Sequence, residues 1–199
     1  MEHRSIVQAT IMARLFYVIG ASGAGKDSLI HYVQEYLPED APVVFAHRYI
    51  TRPADAGGEN HVALSTQEFL QRQQRGCFSM NWYSHETHYG IGLEIDEWLT
   101  KDLDVVVNGS REYLQEAAVK YKNIVPILIC ADPDLLADRL FARGRETFSQ
   151  VTRRVAHAIK LEGSVYHPCL QKVENNGEIE NAGNQLLQII LSMKQEQCA

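Results

Sequence analysis

The sequence predicts a three-layer α/β fold with a central parallel sheet. Short apolar runs alternate with amphipathic segments, and a glycine-rich turn follows the first run. The runs lie at 15–19, 43–46, 104–107 and 124–131. Near-continuous apolar strands are typical of parallel sheets covered on both faces. Strands that alternate with helices place those helices on the two faces.

The predicted helices have recognisable start and stop signals. The first spans about 27–37 and is stopped by Pro38. Ser65 and Glu68 have the spacing of a capping box, which predicts a helix over about 66–75. Further helices are predicted after Ser110, which is placed to cap one, from Asp132 to Gly144, near 150–161 and near 181–194.

Length and composition favour one globular domain over 14–199, preceded by a flexible extension over 1–13. The chain has 199 residues, of which 45% are hydrophobic and 22% charged, an ordinary balance for a globular protein. The net charge of −6 argues against a dedicated nucleic-acid-binding protein. We expect no nucleic-acid partner, whereas a homodimer remains open.

The sequence favours a cytoplasmic location. No apolar stretch approaches the roughly 20 residues that span a bilayer, and the first residues lack a signal-peptide core. The cysteines, at 77, 130, 169 and 198, are widely spaced. This spacing predicts reduced thiols.

The glycine-rich turn has the pattern of a phosphate-binding loop, or P-loop. It reads Gly20-Ala21-Ser22-Gly23-Ala24-Gly25-Lys26 and lies between a strand and a helix, as the mechanism requires. Glycines let backbone amides converge on phosphate oxygens, and Lys26 neutralises the β- and γ-phosphates. The alternative is a turn that binds nothing, but this setting favours ATP and a P-loop NTPase fold.

The residue after the loop lysine departs from the usual pattern. Serine or threonine normally follows and holds Mg²⁺, whereas Asp27 and then Ser28 follow here. Asp27 is a hard oxygen ligand that suits the metal or one of its waters. Alternatively, Asp27 caps the helix and Ser28 takes the metal role. Both residues are candidate Mg²⁺ ligands.

Two arginines, Arg48 and Arg52, flank Tyr49 and Thr51 just after a predicted strand. The planar guanidinium group suits phosphate oxygens, so the segment is a candidate phosphate-binding wall. A solvent-exposed edge with no ligand is the alternative.

Over about 15–190 the chain resembles the guanylate kinase family. The similarity lies in the phosphate loop, in Thr51-Arg52-Pro53, in the segment that ends at Tyr89-Gly90, in Arg143-Gly144, in Arg153-Arg154 and in Asn175-Asn176-Gly177. The resemblance implies an acceptor-binding region over about 47–92 and a lid over about 143–153. It also implies that Tyr89 contacts the acceptor phosphate and that Asn175 lies near the adenine of ATP.

The base-reading half of that family's pattern is missing. Met80 replaces the glutamate that reads guanine, and His61 replaces a guanine-side tyrosine. A pocket that has lost its hydrogen-bonding partners loses discrimination steeply. The chain instead resembles the ribose 1,5-bisphosphate phosphokinase subfamily over 23–29, 46–52, 59–65, 89–99 and 107–111. This resemblance implies transfer of the γ-phosphoryl group of ATP to ribose 1,5-bisphosphate, which yields 5-phosphoribosyl 1-diphosphate.

A phosphate acceptor is already ionised, so catalysis requires positioning and charge neutralisation without a base. The predicted catalytic residues are Lys26, Arg143 and Arg154, with Arg145 and Arg153 as helpers. The predicted acceptor ligands are Arg48, Arg52 and Tyr89, with Asn108 and Arg111 on the far side. The arginines near 143 have an alternative interpretation as an exposed helix end.

Other functions remain open on the sequence. A guanylate or other nucleoside monophosphate kinase is the nearest alternative, and a catalytically silent binding module is another. A sugar kinase with a hydroxyl acceptor needs a base, for which no candidate is evident. His85, Glu86 and His88 do not make a convincing metal site, because zinc sites normally require three or four ligands at defined spacing.

Overall fold

The computed structural model describes residues 12–54, 60–142, 144 and 147–192. The predicted extension over 1–13 therefore lies outside the described residues, except for Met12 and Ala13. The elements are β1 (Leu15–Gly20), α1 (Lys26–Tyr36), β2 (Val43–Phe45), β3 (Arg48–Ile50), β4 (Val62–Ala63), α2 (Thr66–Gln74), β5 (Phe78–Ser84), β6 (Thr87–Gly92), α3 (Glu94–Thr100), β7 (Asp104–Asn108), α4 (Leu114–Lys120), β8 (Ile124–Cys130), α5 (Pro133–Ala142), α6 (Phe148–Ser164), β9 (Gln171–Glu174) and α7 (Ile179–Ser192).

A five-stranded parallel sheet forms the middle of the fold, with the strand order β2-β7-β1-β8-β9. β1 is central, and Leu15 lies opposite Val105 on one side and Ile124 on the other. The loop after β1 consequently opens at the middle of the carboxyl edge, where ligands of open α/β sheets bind. The predicted central parallel sheet is confirmed.

Each face of this sheet is covered by its own apolar cluster. Phe16 and Val18 pack with residues of α1, α5, α6 and α7 on one face. Leu15 and Tyr17 point to the other face and pack with α3, α4 and the second sheet. All four side chains are essentially fully buried, and each such burial contributes about 1.5–3 kcal/mol. Alternate side chains of one strand thus hold two layers onto it, which confirms the three-layer prediction.

A second, mixed sheet was not predicted, and its strands lie within 47–92, the span for which the resemblance implies an acceptor-binding region. Its strand order is β4-β3-β6-β5, and β5 and β6 form an antiparallel hairpin. His85 and Glu86 form the hairpin tip, with φ of 49° and 59°, as in the two-residue turns that match strand twist. The buried side chains of Met80 and Ile91 anchor the hairpin in the cluster around Tyr17.

The helix boundaries largely follow the predicted signals. The Ser65 hydroxyl accepts a hydrogen bond from the Glu68 amide at 3.1 Å, and Gly144 takes the left-handed conformation after α5 (φ 63°). The prediction that Ser110 caps a helix is wrong. α4 starts only at Leu114, and the Ser110 hydroxyl instead accepts from the Glu112 amide within the preceding turn.

Among the described cysteines, Cys77 and Cys130 are free thiols, as predicted. Cys198 lies outside the described residues. Among the described helices, none has the length and apolarity needed to cross a bilayer.

Candidate active site

A cleft of about 570 Å³ lies between the carboxyl edge of the parallel sheet and the second sheet. The phosphate loop, β3, the β5–β6 hairpin, the turn after β7 and α6 contribute to its walls. Most of the predicted site residues that the structure describes line it, namely Gly20, Ser22, Gly23, Gly25, Lys26, Asp27, Ser28, Arg48, Arg52, Tyr89, Arg111 and Arg154. Residues from distant segments thus share one cavity.

The phosphate loop requires glycine at two positions by its backbone conformation. Gly23 and Gly25 have φ of 90° and 93°, a region that side-chain-bearing residues rarely adopt. A Cβ atom on Gly25 would also collide with the Asn175 side chain. Gly25 caps α1, so the positive end of the helix dipole faces the cleft.

Lys26, the first residue of α1, is held over the loop. Its ammonium group donates hydrogen bonds to the carbonyl oxygens of Gly20 at 2.9 Å and Ala21 at 3.0 Å. Ala21 and Ala24 are themselves buried, which anchors the loop in the apolar cluster beneath it. The loop thereby presents a fixed cation and helix-terminal amides to the cleft.

Asn175 supports the loop from behind and does not line the cleft. Its side-chain amide donates to the Ala24 carbonyl at 2.8 Å, and it is only 5% exposed. Arg139 of α5, which sequence reasoning missed, donates to the Asn175 carbonyl at 3.1 Å and reaches the Gly23 carbonyl at 3.5 Å. In the structure the Asn175 side chain thus supports the loop, and its implied position near the adenine of ATP stays a prediction.

Asp27 is paired with Asn108 at the sheet edge. The Asn108 amide donates to Asp27 Oδ1 at 2.6 Å. Asn108 ends β7, next to β1, and is 6% exposed. Its buried Oδ1 has no hydrogen-bond partner in the described parts of the chain. Asn108 was expected to line the acceptor side, but the structure places it against the loop.

Two arginines approach the cleft from β3 and the turn that follows it. The Arg48 guanidinium lies 5.1 Å from the centre of the Tyr89 ring, a cation–π distance. The Arg52 Nε is buried and has no hydrogen-bond partner among the described residues. His61 contacts the Arg52 carbonyl at 3.1 Å, which fixes the backbone here.

Arg111 and Arg154 approach from the opposite wall. Arg111 donates to the Ala158 carbonyl of α6 at 3.1 Å, and burial lowers its pKa, although arginine remains charged at neutral pH. Arg153 is exposed and its guanidinium reaches back to the Ser149 carbonyl of its own helix at 3.4 Å. Arg143 and Arg145 lie outside the described residues.

His85 is a cleft residue that sequence reasoning did not assign to the site. Burial lowers its pKa, and the neighbouring Arg154, His157 and Arg111 lower it further, against the opposing Glu112 carboxylate. Recognition of the turn at His85 and Glu86 would have predicted a hairpin with His85 at its tip, but that turn was not identified from the sequence. His88 instead stacks on Phe69, with ring centres 5.1 Å apart, so the two histidines do not share a site.

Met80, which the resemblance aligns with the guanine-reading glutamate, does not line the cleft. Met80 is fully buried in the core, and neighbouring Trp82 forms the wall in its place. Trp82 stacks on Tyr89 at 5.6 Å and on Tyr113 at 5.7 Å. This part of the cleft therefore offers an aromatic surface.

Comparisons with known proteins identify the family. A scan of protein-family models finds no match. The chain is 51% identical over 177 residues to the ribose 1,5-bisphosphate phosphokinase PhnN of Psychromonas ingrahamii, covering 89% of each chain. It is 48% identical over 180 residues to the PhnN of Yersinia pestis, covering 90% of this chain and 92% of that protein.

The structural comparison agrees on the fold. Guanylate kinase from Anaplasma phagocytophilum superimposes with a TM-score of 0.72 at 13% identity, over 94% of this chain and 89% of that one. At this identity the match establishes the fold alone. With about half of its residues shared over nearly the whole length of the PhnN proteins, the chain belongs to the ribose 1,5-bisphosphate phosphokinase family and has a guanylate kinase-like fold.

Proposed function

We propose that the chain transfers the γ-phosphoryl group of ATP to the 1-phosphate of ribose 1,5-bisphosphate. An oxygen of the 1-phosphate forms a bond to the γ-phosphorus, and the bond from that phosphorus to the β,γ-bridging oxygen breaks. The products are 5-phosphoribosyl 1-diphosphate and ADP. The acceptor oxygen is already anionic, so no proton has to be removed.

The phosphate loop is the donor side. Its amides and Lys26 bind the β- and γ-phosphates, which are the anions that such a loop accepts. Asp27 and Ser28 offer a carboxylate and a hydroxyl on the cleft wall. This donor set fits Mg²⁺, which usually takes one or two protein oxygens and completes its shell with phosphate oxygens and water. Bound Mg²⁺ supplies charge neutralisation at the β- and γ-phosphate oxygens.

The acceptor side consists of Arg48, Arg52 and Tyr89 on one wall of the cleft and Arg111 on the opposite wall. Its convergence on one cleft with the phosphate loop is the observation that carries the proposal. A bisphosphorylated sugar brings two phosphate groups, and arginines bind such groups in a planar, bidentate manner. Met80 is buried in the core and brings no carboxylate to the position at which the related guanylate kinases read guanine, which favours a sugar phosphate over GMP.

Arg154 is the described residue best placed to neutralise the migrating phosphoryl group. It lies on α6 and lines the cleft between the loop and the hairpin tip. Arg143, in the proposed lid over 143–153, is assigned the same task through the family resemblance. Because ATP and sugar phosphates are cytoplasmic metabolites, we place the reaction in the cytoplasm.

The test is a product-identified assay with ATP and Mg²⁺ over four acceptors: ribose 1,5-bisphosphate, GMP, AMP and ribose 5-phosphate. Phosphorus NMR would detect the new diphosphate on ribose. We expect ribose 1,5-bisphosphate to be used in clear preference to GMP, and Lys26→Ala to lower kcat by roughly 10²–10³-fold. Faster turnover of GMP would refute the acceptor assignment, and unchanged kcat in Lys26→Ala would refute the donor site.

A further inference from the structure

The carboxylate and its polar partner occupy exchanged positions at the phosphate loop. In P-loop enzymes generally, a serine or threonine on the loop and an aspartate on another strand together hold Mg²⁺. Here the first turn of α1, directly after the loop, carries the aspartate, Asp27, and the end of the neighbouring strand β7 carries an amide, Asn108. The two types of group are both present, but each stands on the opposite element.

The two side chains make direct contact although 81 residues separate them in the chain. Asn108 lies opposite Val18 of β1 in the sheet register, and its amide donates to Asp27 Oδ1 at 2.6 Å. A short hydrogen bond to an ionised acceptor is stronger than one between neutral groups. The other amide atom, Asn108 Oδ1, is buried without a hydrogen-bond partner in the described ranges.

We propose that Asp27 and Asn108 are an exchanged metal-binding pair, in which Asp27 supplies the anionic ligand for Mg²⁺ and Asn108 is its positioning residue. The proposal rests on the magnesium–ATP donor in the proposed function and moves Asn108 from the acceptor side to the donor side. The unsatisfied Asn108 Oδ1 is an acceptor of the type that a metal-held water satisfies. The Asn108 side chain would then have two roles: its nitrogen donates to Asp27 and its oxygen accepts a hydrogen bond from that water.

This contact is favourable when one of the two side chains is a carboxylate and the other is an amide. Two carboxylates at this distance repel, and one of them would have to take up a proton. Two amides would leave the loop without an anionic ligand. The negative charge therefore has to be on one partner only. We expect the pair to work with the carboxylate at either of the two positions.

The test exchanges the two groups. Asp27→Asn, Asn108→Asp and the double variant are nearly isosteric, and Asn181→Asp is a control that adds the same charge at an exposed position. Isothermal titration with ATP, once with Mg²⁺ and once with EDTA, gives the strengthening of binding by the metal. No acceptor is needed, so the measurement does not depend on which sugar phosphate is phosphorylated.

We expect Asp27→Asn and Asn108→Asp each to reduce the metal-dependent strengthening by at least about tenfold, as the loss of an ordered ligand environment does. The double variant should recover to within about threefold of the wild type, and Asn181→Asp should match the wild type. Unfolding midpoints in EDTA provide a second measure: the double variant should be more stable than Asn108→Asp. A double variant no better than the poorer single variant in both measurements would overturn the proposal, as would wild-type ATP binding that is indifferent to Mg²⁺. Failure of ribose 1,5-bisphosphate as an acceptor would refute the proposed substrate and leave this pair intact.

Discussion

Replacement of Asn175 by alanine tests which of two roles this residue has: support of the phosphate loop or recognition of the adenine base of ATP. The Asn175 amide donates to the Ala24 carbonyl at 2.8 Å, and both residues are buried. Alanine removes the donor but leaves the carbonyl enclosed. The loop then loses the hydrogen bond that joins it to the segment after β9, while the surface of the cleft stays unchanged.

The expected cost follows from the buried carbonyl. Leaving a buried acceptor unsatisfied costs about 1–3 kcal/mol. In a domain of this size each kcal/mol lowers Tm by roughly 2–4 °C. The Asn175→Ala variant should therefore unfold several degrees lower, and its KM for ATP should rise because the loop amides are no longer held in place.

The assay combines urea unfolding with kcat/KM for ATP and for GTP. Asn181→Ala is the matched control, because Asn181 is an exposed asparagine on α7. If Asn175 only supports the loop, both nucleotides lose efficiency by the same factor. An unchanged free energy of unfolding together with an altered ATP-to-GTP preference would show that Asn175 reads adenine and would refute the reasoning.

Three further perturbations test other parts of the fold and site. Arg154→Ala should lower kcat by about 10²–10³-fold, while the exposed Arg153→Ala should stay within about twofold; equal losses in steady-state assays would contradict the assignment. His85 has a lowered pKa in the folded state, so the unfolded state takes up its proton first as pH falls below about 6.5. Stability at this site is therefore present above that pH and lost below it, and His85→Gln should lessen the loss of unfolding free energy between about pH 7.5 and 5.5; an unchanged pH dependence would exclude His85 as a cause. Gly183→Ala should cost about 1–3 kcal/mol because its Cβ meets a tyrosine ring of α1, whereas Gly163→Ala, with open space around it, should gain up to about 1 kcal/mol; denaturant midpoints that move in the same direction would argue against the packing.

The acceptor region shows where sequence reasoning reaches its limit. Arg48 and Tyr89 were predicted to share a site, and the structure brings them to 5.1 Å. The hairpin that carries Tyr89 was not predicted, because its strands alternate less regularly and its tip, His85-Glu86, has no glycine. Only the backbone angles of the structure identify the left-handed turn at this tip. The role of Arg143 stays a prediction.

What the sequence by itself determined is the phosphate loop and the layered sheet around it. Both depend on local patterns: glycines and Lys26 within seven consecutive residues, and apolar runs whose period matches a buried strand. Tertiary structure alone decided that Asn108 meets Asp27, that Asn175 lies behind the loop and that Met80 is withdrawn from the cleft. Such contacts join residues that are far apart in the chain, and strand order and packing, which no local pattern encodes, bring them together.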